Sequence, residues 1–472
     1  MATPAQYRVA VIGAGIAGLT VANALVESQK LLAHELCVLE AQSRVGGRVQ
    51  TRHFSAELPV NIEVGAAWIH GTEGNPFVTL ATKYGLALKE ISARNPWLHP
   101  ASCKNFQVFD RATRLSEDDV QDTWTWFELL LVKLQQLANQ SYSGASALMA
   151  SADADKLSLA ELVDMLATQD EELRDAIRSC ANGRARLELC VRLIEIWMGA
   201  TADALQLDDF HDIDLIGDDA GAHCIVPDGM ERFVDHLAAP IRDAIQTNTC
   251  VKAIHYGDAA ANNKGVVLEC SDGRRIHADR VVVTSALGLL KARELDFVPA
   301  LPAPKQQAIQ RSSMGQYMKV LVQFPSVFWD KSASFIGQLE PLKEEANGDG
   351  RLFFPLMFNY YYAKHVPVLE GVLIGDTAAR VSTLSDDTIV NAFVRQLRAT
   401  YGDDAVPTPV NRFITSCLTV ESSEDDPETL REPVDGSVFF AGEATIYKYQ
   451  GALQAAYLSG LEAVKDLERL GL

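Results

Sequence analysis

The chain has 472 residues, of which 48% are hydrophobic and 22% charged. This is an ordinary composition for a soluble globular protein, and the length is enough for roughly two to four domains. The 62 acidic residues outnumber the 42 basic ones and give a formal net charge of −20. Such a surface repels phosphates, which argues against nucleic acid or an anionic membrane as the main partner and favours cationic ligands.

Cysteine and histidine usage argues against a disulfide framework and against a metal site. The eight cysteines are scattered without a CxxC pair, and the ten histidines show no ligand spacing. The uncharged stretch 9–26 has two interpretations, a signal peptide or a buried strand, glycine turn and helix. Its glycine spacing favours the second. With no membrane-length apolar run and no SKL tail, we expect a cytoplasmic protein without a metal.

The N-terminal motif predicts a dinucleotide cradle. An apolar run, YRVAVI, precedes Gly13, Gly15 and Gly18, which form a GxGxxG that opens a helical pattern. A second strand pattern, ELCVLE, ends in Glu40, about 20 residues after the motif. A lone GxGxxG is weak evidence, and the alternative is a glycine-rich turn that binds nothing. Its place between two strands, followed by an acid, makes the signal much stronger.

Each residue of this motif has a physical role. Gly13 permits the tight turn, Gly15 lets the backbone approach a pyrophosphate, and Gly18 lets helix and strand pack closely. The helix N-terminus offers free N–H groups and a partial positive charge to phosphates. Glu40 can accept hydrogen bonds from ribose hydroxyls, and its charge disfavours NADP, which carries a 2′-phosphate.

Two further stretches carry a family resemblance. The first is SRVGGR, which ends at Arg48, and the second is EVGAAWIHG, which begins at Glu63. With the GxGxxG, they resemble the flavin-dependent amine oxidases, and within them the polyamine oxidases. The resemblance, and not the composition, implies FAD rather than NAD. It implies that the stretch with Arg48 wraps FAD and that the second stretch runs beneath the flavin ring, placing there Gly65, Ala66, Trp68 and His70.

The resemblance covers nearly the whole chain in an interleaved order. It implies an α/β fold in which a Rossmann-like FAD-binding domain, made of residues 1–90, 216–300 and 405–472, is joined to an α+β substrate-binding domain. The substrate-binding domain takes residues 91–215 and 301–404. Residues 91–215 read as mostly helical, with a helix start near Ser116 and a small, polar loop at 141–155. Residues 255–264 read as the solvated tip of a hairpin.

A strand pattern over 315–325 contains the proposed catalytic lysine. Met318, Val320 and Val322 alternate onto one face and Lys319 onto the other. Alternation alone favours a lysine on a solvated sheet face. The resemblance implies instead that Lys319 holds a water against flavin N5. From its own chemistry, the His70 imidazole can accept or donate a hydrogen bond near the reacting nitrogen of the substrate.

Glu195 lies in an apolar helix, where a lone carboxylate is costly unless it is paired or faces a cavity. Two interpretations stay open. Either Glu195 pairs with Arg192 or is exposed, or it binds a substrate ammonium, as an acidic residue does in the polyamine oxidases that the chain resembles.

The resemblance assigns three more cofactor contacts. The backbone of Val251 meets the adenine, and Glu443, in the strand pattern FFAGEAT, meets the ribityl and pyrophosphate region. A final helix that begins near Leu453 points its N–H groups at the pyrimidine end of the flavin. That arrangement stabilises the negative charge that reduction places there.

One part of the family pattern is missing. Most polyamine oxidases carry a Trp and then a Gly-Ser-Tyr before the FFAGEAT strand, but this sequence has no aromatic residue between Phe413 and Phe439. At the start of the last helix, Ala452 is small. The usual aromatic sandwich over the flavin is therefore absent.

The resemblance implies FAD-dependent oxidation of polyamines, spermine, spermidine or their acetylated forms, in polyamine catabolism. Hydride passes to flavin N5, the imine hydrolyses, and O2 is reduced to hydrogen peroxide. The expected partners are a small cationic amine and O2. Two alternatives stay open: another flavin amine or amino-acid oxidase, and a non-catalytic FAD-binding scaffold. The sequence does not give the preferred polyamine, the C–N bond cleaved or the oligomeric state.

Overall fold

The computed structural model describes residues 6–53, 61–138, 157–207, 220–260, 265–339, 352–421 and 425–472, without the side chains of 416–421 and 425. The predicted loop at 141–155 lies outside the described residues, as do residues 261–264 of the predicted hairpin tip.

The α-helices of the described residues are, in chain order, α1 (Ile16–Glu27), α2 (Pro76–Tyr84), α3 (Glu117–Ala138), α4 (Leu159–Gln169), α5 (Glu171–Ser179), α6 (Gly183–Met198), α7 (Glu231–Ala238), α8 (Leu287–Lys291), α9 (Ala303–Arg311), α10 (Tyr360–Lys364), α11 (Gly375–Val381), α12 (Asp386–Tyr401), α13 (Asp425–Arg431) and α14 (Leu453–Arg469). None of these helices is long and apolar enough to cross a bilayer.

The strands are β1 (Gln6–Ile12), β2 (Leu36–Leu39), β3 (Thr51–His53), β4 (Asn61–Glu63), β5 (Trp68–Ile69), β6 (Lys89–Ser92), β7 (Gln107–Asp110), β8 (Thr113–Arg114), β9 (His223–Ile225), β10 (Ile245–Gln246), β11 (Val251–Tyr256), β12 (Val266–Cys270), β13 (Arg275–Val283), β14 (Asp296–Val298), β15 (Ser313–Gln323), β16 (Phe335–Gln338), β17 (Leu356–Asn359), β18 (Val368–Ile374), β19 (Asn411–Glu421) and β20 (Val438–Phe440).

An eight-stranded sheet carries the GxGxxG motif. Its order is β10-β2-β1-β13-β12-β11-β14, with β20 paired to β13. The strands β10, β2, β1, β13 and β20 pair in parallel, as in a doubly wound dinucleotide-binding sheet. Val9, Ala10 and Val11 of β1 are fully buried, which explains the apolar run that the sequence shows there. The motif therefore lies at the carboxyl end of a central strand, where such sheets bind ligands.

A second sheet has seven strands in the order β19-β15-β18-β17-β16-β7-β8. Its pairs are antiparallel except for β16 with β7. Strand β19 belongs to this sheet, because it pairs with β15 from Ser313↔Glu421 to Gln323↔Asn411. The predicted cofactor segment 405–472 therefore includes a strand of the other sheet, which the sequence could not reveal because the pairing is long-range.

Strand β15 is covered on both of its faces. Met318, Val320 and Val322 pack in one apolar cluster with Phe393 of α12. On the opposite face, Leu321 packs in a different cluster, with residues of the helical stretch α3–α6. Lys319 shares that second face and is only 6% exposed. The alternation was predicted correctly, but a solvated face for Lys319 is wrong.

Candidate active site

The three motif glycines divide their roles as the sequence predicts. Gly13 has φ +101°, which favours glycine. A Cβ on Gly18 would lie 2.0 Å from the Gly13 carbonyl oxygen, so the helix and strand touch there. At Gly15 the nearest atom to such a Cβ is the Gly47 Cα, 4.0 Å away. Gly15 thus leaves open space beside the first turn of α1, where a phosphate would meet free N–H groups.

Glu40 ties the motif to the strand that follows. Its Oε2 accepts a hydrogen bond from the Ala14 N–H at 2.8 Å and its Oε1 accepts one from the Gln42 N–H at 2.8 Å. A carboxylate has about four lone-pair positions, so each oxygen keeps capacity for a ribose hydroxyl. The Thr249 N–H donates to the Glu40 carbonyl at 2.8 Å, which brings the start of the strand containing Val251 beside the same carboxylate.

The two stretches that carry the family resemblance run side by side. The Gly46 N–H donates to the Ala14 carbonyl at 2.8 Å, which seats the SRVGGR turn on the glycine motif. The Ala66 N–H donates to the Arg48 carbonyl at 3.2 Å, and a Cβ on Gly65 would come within 1.9 Å of that oxygen. Only a glycine fits at position 65, since backbone occupies the space.

Arg48 and Glu443 form an ion pair and both line a cavity. The cavity lies past the carboxyl ends of β13 and β20, and its lining includes Thr284, Ala441 and Gly442. The structure thus brings Arg48 and Glu443, which are 395 positions apart, to one place beside the cradle.

The start of α14 faces the IHG segment. Ala452 stands at the N-cap, and no side chain of the described residues caps the helix there, so its first N–H groups have no intrahelical partner. The Gln454 side chain donates from Nε2 to the His70 carbonyl at 3.1 Å. The helix start containing Leu453 is therefore fixed against the segment that carries His70.

His70 lies against a second histidine. The Nδ1 atoms of His70 and His223 are 3.4 Å apart. Burial, and then the positive charge of Lys319, lowers the pKa of His70 to about 4. Burial and His70 also hold the pKa of His223 well below 6.5. Both imidazoles are therefore neutral at pH 7 and do not repel a cation.

Aromatic rings surround His70. The ring centroids of His70 and Trp197 are 5.0 Å apart, those of His70 and Trp97 5.6 Å, and those of Trp97 and Trp197 5.6 Å. The ring of Trp68 stacks on that of Phe335, with centroids 6.2 Å apart, so its side chain packs in this aromatic cluster. The sequence missed Trp97 and Trp197 because no local motif marks them.

Lys319 carries a buried ammonium. Its Nζ lies 3.5 Å from Glu370 Oε2, yet it has no hydrogen-bond partner within the described part of the chain. An ammonium has three donors, and leaving them unsatisfied in a buried place is costly. This geometry suits a group whose partner is a water or a bound cofactor.

Glu195 does not present a free carboxylate. Its Oε2 accepts from Arg192 at 2.6 Å and its Oε1 accepts from the Ala202 N–H at 2.7 Å. The side chain is 3% exposed. Of the two interpretations left open by the sequence, the structure shows the pair with Arg192, and binding of a substrate ammonium by Glu195 stays a prediction.

These residues fit FAD. The open position at Gly15 and the start of α1, which no side chain of the described residues caps, suit the phosphates. The start of α14, likewise without a side-chain cap in the described residues, suits the reduced ring. The spare lone pairs of Glu40 suit the ribose. The unsatisfied ammonium of Lys319 lies in the same region, since its charge acts on His70.

A family model, flavin-containing amine oxidoreductase, matches residues 16–467, and the chain belongs to that family. The predicted fold class and amine oxidase class are confirmed. The predicted FAD is confirmed as well, because the family uses a flavin and the cradle is of the dinucleotide type. No group of three or more potential metal ligands occurs among the residues that the structure describes.

Curated relatives confirm the predicted resemblance to polyamine oxidases. The chain is 28% identical to "Polyamine oxidase 2" of Arabidopsis thaliana, over 98% of this chain and 89% of that protein. It is 28% identical to the "Peroxisomal N(1)-acetyl-spermine/spermidine oxidase" of Bos taurus, over 96% and 93%. It is 29% identical to "Lysine-specific histone demethylase 1 homolog 1" of Arabidopsis thaliana, but spans only 52% of that protein.

Solved structures share the fold. A triple mutant of putrescine oxidase superposes with a TM-score of 0.72 at 18% identity, over 98% of this chain and 99% of the other. Cyclohexylamine oxidase from Brevibacterium oxydans gives 0.69 at 21% identity, over 99% and 100%.

Replacing Gly15 with Ala should abolish FAD retention while leaving the apo fold intact, because the added methyl group meets open space and not protein. The FAD-to-protein ratio and the melting temperature after FAD removal check this. Gly18→Ala is the matched comparison and should lose both, since its methyl group collides with backbone. Full flavin occupancy in Gly15→Ala would contradict the assigned phosphate position.

Replacing Glu195 with Gln should lower stability by about 1 kcal/mol, because it removes a charge-assisted hydrogen bond to a half-exposed arginine. The KM for amine substrates should stay within about twofold of the wild-type value. Thermal melts and steady-state kinetics measure the two effects. A tenfold rise in KM at an unchanged melting temperature would restore the ammonium-binding role.

Proposed function

We propose that the protein oxidises polyamines, spermine, spermidine or their acetylated forms, with FAD as cofactor and O2 as the final electron acceptor. When bound, FAD would supply at N5 the acceptor for a hydride from the carbon next to an amine nitrogen, and O2 would carry the electrons away as hydrogen peroxide. The imine takes up water and yields an aldehyde and an amine. The observation that carries this proposal is the buried Lys319 ammonium, which has no hydrogen-bond partner among the described residues and whose charge acts on a neutral His70.

In this proposal His70 acts at the reacting nitrogen. A hydride can depart from the carbon only when the neighbouring amine nitrogen is neutral. The reacting nitrogen must therefore have lost its proton. A neutral imidazole can accept or donate one hydrogen bond there without adding a charge. The low pKa of His70, about 4, keeps it in that form throughout the neutral range.

The remaining ammonium groups of a polyamine need a different environment. Trp97 and Trp197 lie beside His70, with ring centroids 5.6 Å and 5.0 Å from the imidazole. An aromatic ring attracts a cation placed over its face by about 0.5–2 kcal/mol. The net charge of −20 steers cations toward the protein from a distance. Together these features support a cationic amine and do not favour a substrate that also carries a carboxylate.

Lys319 would organise the reoxidation half of the reaction. A positive group beside the flavin lowers the barrier for forming reduced, negatively charged oxygen species from O2. Its burial strengthens that effect because water does not screen it. The alternation of β15 aims it away from Met318 and Val320 and into the face that also holds Leu321.

Purified, FAD-loaded protein should release hydrogen peroxide with spermine, spermidine or their acetylated forms, at a kcat/KM about tenfold or more above that for a simple monoamine. A peroxidase-coupled assay that includes putrescine, an amino acid and a methylated-lysine histone peptide measures this. Preference for a monoamine or an amino acid would assign a different flavin oxidase. Preference for the peptide would assign a demethylase. A yellow protein that releases no peroxide with any of them would be a scaffold.

Replacing Lys319 with Met should slow reoxidation of the reduced flavin by about tenfold or more, because it removes a desolvated charge that acts in the transition state. Stopped-flow mixing of reduced enzyme with O2 gives the rate constant directly. Lys83→Met, which changes an exposed lysine paired with Glu27, is the control. Equal rates in the Lys319→Met variant and the wild type, at equal FAD content, would remove Lys319 from the reaction.

A further inference from the structure

Lys319 has a carboxylate partner for which the sequence gives no motif. In β15, Lys319 lies opposite Val372 of β18, and Glu370 precedes Val372 by two residues. Residues two apart in a strand share a face, so Glu370 is the diagonal neighbour of Lys319. Its Oε2 is 3.5 Å from Lys319 Nζ, and Glu370 is 3% exposed. A glutamate occupies a sheet position that packing alone would fill with an apolar side chain.

Glu370 is itself held in place. The Tyr360 hydroxyl, at the start of α10, donates to Glu370 Oε2 at 2.9 Å. Burial, with the charge of Glu370, raises the pKa of Tyr360 well above 10, so it stays a donor at any working pH. Tyr360 is 2% exposed and follows Asn359, which is fully buried and accepts from the Tyr361 N–H at 2.9 Å. The hydroxyl therefore has a fixed position.

The other buried charged side chains near Lys319 have hydrogen-bond and ion-pair partners of their own. Glu63 accepts from the Thr51 hydroxyl at 2.8 Å and from the Met230 N–H at 3.2 Å, and it lies 3.6 Å from Lys364 Nζ. Lys364 donates to the Asn61 carbonyl at 2.7 Å. The charge of Lys319 acts on both Glu63 and Lys364. Among these groups, Glu370 alone lies within ion-pair distance of Lys319 in the described residues.

We infer that Glu370, fixed by Tyr360, is a positioning residue that orients the Lys319 ammonium. One side of the ammonium faces Glu370, and its unsatisfied N–H groups are left for the water or cofactor atom at the flavin. The inference rests on the proposed function, because it assigns Glu370 a role only through Lys319. It explains why two charges are retained in a place where apolar residues would cost less.

The test is a double-mutant cycle on the flavin reoxidation rate constant. Glu370→Gln keeps the shape and removes the charge, and it should slow reoxidation about fivefold, with the KM for the amine within about twofold. In the Lys319→Met background the same substitution should change the rate by less than about 1.5-fold, because the group that it positions is gone. Tyr360→Phe should slow reoxidation by a smaller factor.

Two matched variants serve as controls. Tyr401→Phe removes a buried hydroxyl that has no hydrogen-bond partner in the described residues, and Asp426→Asn removes a buried carboxylate that pairs with Arg311. Neither should change the reoxidation rate constant at full FAD occupancy. Any loss of stability in these variants calibrates how much of an effect comes from folding alone.

The outcomes separate the two proposals. If Lys319→Met slows reoxidation but Glu370→Gln does not, or slows it equally in both backgrounds, the positioning role is overturned and the proposed function stands. If Lys319→Met has no effect, Lys319 has no part in the reaction and this inference fails with it, while the peroxide assay alone decides the proposed function. If Glu370→Gln does not accumulate as folded protein, Tyr360→Phe keeps both charges and tests the same claim. Wild-type rates in Tyr360→Phe would then overturn it.

Discussion

The buried ammonium of Lys319 constrains the site around it. Removing a cation from water costs several kcal/mol unless opposite charge and hydrogen bonds compensate. Here β15 is covered on both faces, so compensation must come from the neighbouring side chains. Glu370 supplies the nearest negative charge, and Glu63 supplies a second one within electrostatic range. The same positive charge helps to keep His70 neutral, which is the form that the proposed chemistry needs.

The cofactor half and the substrate half of the site depend on different kinds of interaction. The cradle is built from backbone: Gly13, Gly18 and Gly65 lie where a side chain would be strained or would strike a carbonyl oxygen. The rings around His70 come from β5, from the loop that holds Trp97, from β9 and from α6, and Trp68 and Trp97 are buried in the apolar core. Substitution is therefore restricted by backbone at the cradle and by side-chain packing near His70.

Structure could be predicted from the sequence where a feature depends on a few consecutive residues. The place of the GxGxxG between two strands followed from its own few residues, and the faces of β15 followed from alternation, while the stretch around Gly65 was recognised only by resemblance to a family. What covers those faces was not predictable, since it depends on elements from other parts of the chain. For the same reason four features were not found: the partner of Lys319, the bond from the Ala202 N–H to Glu195, the sheet of β19 and the rings around His70.

Both carboxylate oxygens of Glu195 accept hydrogen bonds from the protein. Given the proposed function, this affects how a polyamine would be recognised. A fixed carboxylate at a set distance from the flavin selects substrates by the spacing between their nitrogens, because a buried ion pair tolerates little displacement. Aromatic faces and a long-range negative potential attract an ammonium without demanding one spacing. With Glu195 bonded to Arg192 and to the Ala202 N–H, the second kind of recognition remains. Under the proposed function, such a site would rank amines by charge and apolar length more than by the position of the second nitrogen.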